Sequence, residues 1–73
     1  MAVAKPARAP LRVRELREAR NISQAELAAR LGVTPTAVLF WETGRNEPGA
    51  ARLLQIAGEL ECSVDELYRK EVG

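Results

Sequence analysis

The chain lacks the residues on which many enzymes and metal sites depend. None of its 73 residues is a histidine, so the usual general base near neutral pH is missing. Its single cysteine, Cys62, forms neither an intramolecular disulfide nor a two-cysteine metal clip. We therefore expect no bound metal, no cofactor and no enzymatic activity. One cysteine also suits a reducing environment, which predicts a cytoplasmic protein.

Long apolar runs and low-complexity tracts are also missing. No apolar stretch approaches the roughly 18 residues that span a bilayer, and the N-terminus lacks the apolar segment of a secretory signal. Nevertheless, 47% of the residues are hydrophobic, which is typical of a globular chain. The sequence therefore predicts one small binding domain with no membrane partner. Its core is worth only about 3–5 kcal/mol, so a second subunit would help to stabilise it.

A net charge of only +1 conceals two halves of opposite sign. Residues 1–45 carry eight basic and four acidic side chains, whereas residues 46–73 carry three basic and six acidic ones. One face that meets a polyanion and another that is turned away would produce this distribution. Two solvated surfaces with accidental polarity would produce it equally well, so charge alone leaves both interpretations open.

The first ten residues are predicted to be a flexible basic arm. Pro6 and Pro10 bracket small residues and the cations Lys5 and Arg8, without apolar periodicity. Such an arm either lies along a nucleic-acid groove or is simply an unattached terminus. Residues 71–73 are predicted to form a C-terminal tail.

Between residues 11 and 70 the apolar spacing predicts five short helices and no strand. The first helix, about 11–20, carries Val13, Leu16 and either Ala19 or Arg20 on its apolar side and ends at Asn21. The fourth helix is predicted at about 50–60. The predicted fold class is therefore all-α, a compact five-helix bundle.

The other predicted helices begin at capping residues. Ser23 and Ser63 each precede a glutamate by three positions, which is the pattern of a capping box. Thr34 is the expected N-cap of the third helix, with proline at the first helical position. Gly32 and Gly44 are expected to end the second and third helices.

Two short helices joined by a tight turn with a glycine form a helix-turn-helix unit. From about residue 11 to residue 70 the chain closely resembles the Cro/C1-type helix-turn-helix family of phage repressors, Cro proteins and restriction–modification controller proteins. The residues at the family's spacing include Ser23-Gln24, Leu27-Ala28, Leu31-Gly32, Trp41-Glu42, Gly44 and Pro48. The resemblance implies a DNA-binding domain of the lambda-repressor-like type. It also implies a sequence-specific transcriptional regulator, most simply a repressor, whose partner is a double-stranded DNA operator.

The resemblance assigns base reading to helix 35–43 in the major groove, at Pro35, Thr36 and Phe40, with Leu39 beside them. Family members usually place polar side chains here, whereas this chain offers one hydroxyl and three apolar groups. None of these makes the bidentate hydrogen bonds that discriminate bases by about 1–3 kcal/mol. Specificity would then rest on methyl contacts, DNA shape and backbone fit, or be poor.

A different function remains open for the same helix. Leu39 and Phe40 would also form an apolar patch for a protein partner, as in an antitoxin or adaptor. They would equally be covered by a dimer or by the N-terminal arm.

The resemblance also implies phosphate contacts and one ion pair. The expected phosphate-contacting residues are Gln24, Arg17, Thr43, Arg45 and Asn46. Arg17 and Glu42 are expected to form a partly buried ion pair that ties the first helix to the third.

Proteins with a single helix-turn-helix commonly bind as twofold dimers on half-sites about 34 Å apart. We therefore expect a homodimer. Its candidate interface residues are those left over from the core of the last two helices, namely Leu54, Tyr68 and Val72.

Overall fold

The computed structural model describes residues 11–68 and contains five α-helices and no strand within that range. The helices are α1 (Val13–Ala19), α2 (Gln24–Leu31), α3 (Pro35–Thr43), α4 (Ala50–Glu59) and α5 (Val64–Tyr68). The prediction of an all-α, five-helix fold is confirmed. The arm with Lys5 and Arg8, and the tail with Val72, lie outside the described residues.

Local capping fixes where the helices begin. The Ser23 hydroxyl accepts from the Glu26 N–H at 3.0 Å, and the Glu26 carboxylate accepts from the Ser23 N–H at 2.9 Å. Ser63 and Glu66 repeat this reciprocal pair before α5, at 3.1 and 2.8 Å. Thr34 caps α3 through its side-chain oxygen. Each start was predictable because the bonded residues are three positions apart.

Left-handed residues end the helices. Gly32 (φ +72°) follows α2 and Gly44 (φ +81°) follows α3, as predicted. Asn21, after α1, also adopts a positive φ of 58°. Glu61, in the turn between α4 and α5, has a φ of 55° that the sequence did not indicate.

All five helices contribute to one core. α2 packs against α3 and α4, α1 packs against α3, and α4 packs against α5. The largest fully buried side chains are those of Val13, Leu27, Val38, Ile56, Leu60 and Leu67. Burial of this apolar surface is the main stabilising term for so small a domain.

The prediction for the apolar side of α1 was wrong at its last residue. Ala19 and Arg20 are exposed, and Arg17 takes the buried position after Leu16. A guanidinium occupies that position because the Glu42 carboxylate neutralises it.

Two arginines satisfy the carbonyl ends of other helices. Arg20 donates to the Leu60 carbonyl at the end of α4, and Arg52 donates to the Leu31 carbonyl at the end of α2, at 2.9 Å. These bonds link helices distant in sequence and satisfy acceptors that helix geometry leaves open. Within residues 11–68 no helix is long and apolar enough to cross a membrane.

Candidate nucleic-acid interface

The helices α2 and α3 are joined by a turn of only three residues, Gly32 to Thr34. The Val33 N–H donates back to the Ala28 carbonyl at 2.9 Å, and Val33 packs against the core. The left-handed Gly32 reverses the chain between the two helices. The turn therefore holds α3 at a fixed angle against α2.

A polar network centred on Glu42 joins three helices. The Arg17 Nε lies 2.8 Å from one Glu42 carboxylate oxygen, and Nη2 lies 3.3 Å from the other. The Gln24 side-chain amide donates to the same carboxylate at 2.9 Å. The side chains of Arg17 and Glu42 are only 9% and 4% exposed. The network therefore links α1, α2 and α3 through hydrogen bonds between their side chains.

The charge of Arg17 is well satisfied in this position. Its Nη1 donates to the Ile22 carbonyl at 2.9 Å, in addition to the bonds to Glu42. The hydrogen bond to Glu42 raises the pKa of the Arg17 guanidinium above its ordinary value, against the opposing effect of burial. Arg17 was expected both in an ion pair and at a phosphate. Its guanidinium is buried and each of its nitrogens makes a hydrogen bond, which fits the ion pair and leaves little surface for direct phosphate contact.

Gln24 is the first residue of α2 and lies partly exposed at its N-terminus. Its side-chain amide already donates to Glu42. The group best placed to meet an anion is therefore its backbone N–H, because the first N–H groups of a helix have no partner within the helix. The bond to Glu42 was not foreseen from the sequence.

The four expected base-reading residues lie together on the outer side of α3. Pro35 and Thr36 are exposed at its N-terminus, Leu39 is 42% exposed, and Phe40 is half-buried. Val38 and Trp41 lie on the opposite side, in the core. The outer face of α3 is therefore accessible, and Leu39 and Phe40 give it an apolar surface.

Arg45 lies against this face after the end of α3. Its guanidinium carbon is 4.7 Å from the centroid of the Phe40 ring, a cation–π contact. The backbone N–H groups of Arg45 and Asn46 both donate to the Phe40 carbonyl, at 2.9 and 3.3 Å. Gly44 makes this geometry possible because its positive φ turns the chain back over the last turn of α3.

The two remaining polar residues after α3 differ in what they offer. The Thr43 hydroxyl donates to the Leu39 carbonyl at 3.0 Å, so its proton is engaged within the helix. Asn46 is exposed. Among residues 11–68, no three or more Cys, Asp or Glu side chains are grouped to hold a metal ion.

A family model described as helix-turn-helix matches residues 13–67. Repressor protein C2 of Salmonella phage P22 is 34% identical over 62 residues, which are 85% of this chain and 29% of the repressor. The structure of the P22 c2 repressor in complex with a synthetic operator matches with a TM-score of 0.76 and 35% identity. That match covers 82% of this chain and 91% of the repressor chain.

The same fold also occurs as part of an enzyme. Hydroxypropylphosphonic acid epoxidase from S. wedmorenis matches with a TM-score of 0.74 and 34% identity, over 78% of this chain and 30% of that one. The chain spans 28–50% of the length of five curated relatives. The similarity between this chain and these longer proteins is therefore limited to one domain. Since the family model covers most of its length, the chain belongs to the Cro/C1-type helix-turn-helix family.

Proposed function

We propose that this chain is the DNA-binding unit of a transcriptional regulator, most simply a repressor, and that α3 enters the major groove. The observation that carries the proposal is the Glu42 network, which holds α1, α2 and α3 in one arrangement while the outer face of α3 stays exposed. A reading helix needs this combination of a fixed orientation and an open face.

The elements around α3 supply the remaining contacts. The N-terminus of α2 directs backbone N–H groups and the positive end of the helix dipole outwards, which suits a DNA phosphate. Arg45 and Asn46 follow α3 and would meet the backbone beyond it, with Thr43 beside them. Arg17 contributes by fixing Glu42 and Gln24 rather than by touching phosphate.

The comparisons support this proposal at the level of the domain. Relatives such as the P22 repressor are named for transcriptional regulation, although the chain spans only part of them. The epoxidase likeness covers 30% of that enzyme, and this chain has no histidine and one cysteine. We therefore propose a non-enzymatic role.

A second copy of the chain would complete the binding unit. One helix-turn-helix covers about half of a twofold operator. Of the proposed dimer residues, Leu54 is 67% exposed on α4, whereas Tyr68 already packs partly against the core. Leu54 is therefore the stronger interface candidate of the two.

Selection of duplexes from a random pool, followed by gel-shift measurements over a salt series, tests the function. We expect a retained duplex whose binding constant falls linearly with salt concentration on logarithmic axes, because phosphate contacts release counterions. Circular dichroism confirms that the chain is folded. A folded chain that retains no duplex at low salt would contradict the proposal and favour the protein-interaction alternative at Leu39 and Phe40.

A further inference from the structure

We propose that the outer face of α3 selects C5-methyl groups in the major groove, those of thymine and equally those of 5-methylcytosine. Thr36, Leu39 and Phe40 form this methyl-reading face, at helical positions i, i+3 and i+4. The inference rests on the proposed DNA-binding function and names the chemistry that the function would use.

A large apolar side chain is exposed on α3 at a position where the family resemblance implies a base-reading residue. Leu39 is one of two large hydrophobic residues that are exposed within residues 11–68, the other being Leu54 on α4. Phe40 lies beside it, half-buried, one position further along the helix. An exposed leucine side chain can pack against apolar groups of a partner, but it has no donor or acceptor for a hydrogen bond.

Three polar side chains near this face are already hydrogen-bonded within the domain. The Thr34 oxygen caps α3, the Thr43 hydroxyl donates to the Leu39 carbonyl, and the Gln24 amide donates to Glu42. Of the side chains on the face, Thr36 alone carries a hydroxyl, and it carries a methyl group as well. The face therefore lacks the paired donors and acceptors that distinguish guanine or adenine.

Arg45 lies at the edge of this face. Its guanidinium stacks on Phe40 at 4.7 Å and so places a positive charge at the edge of the apolar face. That charge attracts the face to the anionic groove, while the aliphatic and aromatic groups make the selective contact. Affinity and methyl selection are thus assigned to adjacent side chains.

The bases differ in one group that matters to such a face. Thymine and 5-methylcytosine both carry a methyl at C5 in the major groove, and uracil and cytosine do not. Burying one methyl favours binding by about fourfold, from roughly 0.8 kcal/mol per buried carbon. A face that reads the methyl should therefore bind 5-methylcytosine better than cytosine at the same position.

The experiment uses the full chain and the duplex chosen by selection from a random pool. Each thymine is replaced singly by uracil, and at each sensitive position cytosine and 5-methylcytosine are compared, both paired with guanine. We expect one or more positions at which uracil weakens binding about fourfold and 5-methylcytosine restores a similar factor over cytosine.

Variants separate direct contact from an effect of the methyl on DNA stacking. Leu39→Ala, alone and together with Phe40→Ala, should abolish the difference between thymine and uracil, whereas Asp65→Ala, which truncates an exposed side chain on α5, should preserve it. Circular dichroism checks that each variant is folded.

Two outcomes would overturn the inference. In the first, uracil replaces thymine at every position without loss. In the second, the loss is equal in the wild type and both α3 variants. In either case the duplex is still bound, so the proposed function stands; failure to bind any duplex is the separate result that overturns the function itself.

Discussion

At the scale of single residues, Glu42 is the side chain through which α1, α2 and α3 are linked. It accepts from Arg17 and Gln24 and is 4% exposed. Glu42→Ala should lower the free energy of unfolding by about 3–5 kcal/mol, because it strands the buried guanidinium of Arg17 without its counter-charge. Since the core of so small a domain is worth only about as much, we expect the variant to be largely unfolded before urea is added. Urea titration followed by circular dichroism measures the change.

The matched control for that substitution is Glu18→Ala. Glu18 pairs with Arg14 at 3.3 Å, but both side chains are more than half exposed. Water screens such a pair, so its loss should change stability by less than about 0.5 kcal/mol. Similar losses in the two variants would contradict a buried role for Glu42.

Glu26 gives the stability of the domain a pH dependence. The Ser23 backbone N–H donates to its carboxylate and lowers the pKa of Glu26 below its ordinary value of about 4.3. The stabilisation by the ionised form is therefore complete above that ordinary value. The stabilisation is lost as the pH falls through that ordinary value towards the lower pKa of Glu26 in the folded state.

Glu26→Gln tests this dependence, because glutamine keeps an acceptor at the capping position without the charge. We expect the wild type to have the higher melting temperature near neutral pH, and the difference to shrink below about pH 4. Melting curves at constant ionic strength measure it. A difference that stays constant down to about pH 3 would be incompatible with this role for the carboxylate.

Individual site residues were predictable to different degrees. The Arg17–Glu42 pair followed from the family resemblance, and the structure contains it. The bond from Gln24 to Glu42 did not, because it joins residues 18 positions apart and depends on how α2 packs on α3. The stacking of Arg45 on Phe40 was hidden for a similar reason, since it depends on the left-handed backbone at Gly44.

At the scale of the elements, the glycine between α2 and α3 sets the geometry of the motif. Gly32 has a φ of +72°, and a Cβ added there would meet nothing within 4 Å. Gly32→Ala should therefore destabilise through backbone strain alone, by about 1 kcal/mol. Thermal or urea unfolding measures the loss.

Gly58 provides the control with the opposite sign. It lies inside α4, and an added Cβ there also has open space. Gly58→Ala should stabilise the domain by about 0.8 kcal/mol, because alanine loses less conformational freedom in a helix. If both substitutions moved stability in the same direction, the backbone conformation of Gly32 would not be the deciding factor.

The ends of the elements divide into those set locally and those set by packing. The starts at Ser23, Thr34 and Ser63 were predicted because each cap bonds to a residue three positions later. The hydrogen bonds that arginines donate to the ends of α2 and α4 were not predicted, because the partners lie far apart in sequence. Arg52 and Leu31, for example, are 21 positions apart. A sequence pattern identifies a cap that lies within one turn, but not one that another helix supplies.

At the scale of the whole molecule, the net charge of +1 is a poor guide to the partner. The basic residues concentrate before the loop that follows α3, and the acidic residues concentrate after it. Two ion pairs nevertheless join the halves in space, Arg20 to Glu61 at 3.3 Å and Arg30 to Glu59 at 3.7 Å, so the separation along the sequence is only partly a separation between faces. A net charge close to zero does not by itself oppose the proposed DNA binding, because a polyanion responds to the local field of the face that it meets.

Dimerisation is the remaining property of the whole molecule that one substitution can address. Leu54 projects from α4 with 67% of its surface exposed, and it does not belong to the core. If two copies meet through this residue, Leu54→Glu places two carboxylates against each other and weakens the dimer by charge repulsion and desolvation. The folded monomer should be unaffected within about 0.5 kcal/mol, because the side chain is exposed.

We expect the substitution to change the preference of the protein for a duplex with two half-sites over a duplex with one. The wild type should bind a duplex with two half-sites about 34 Å apart far more tightly than a single half-site, whereas Leu54→Glu should bind both similarly. Leu54→Met, which keeps an apolar side chain, should behave as the wild type does. Sedimentation measured at the concentrations of the gel shifts reports the dimer directly. A Leu54→Glu variant that still sediments as a dimer and still prefers the paired half-sites would show that Leu54 lies outside the interface.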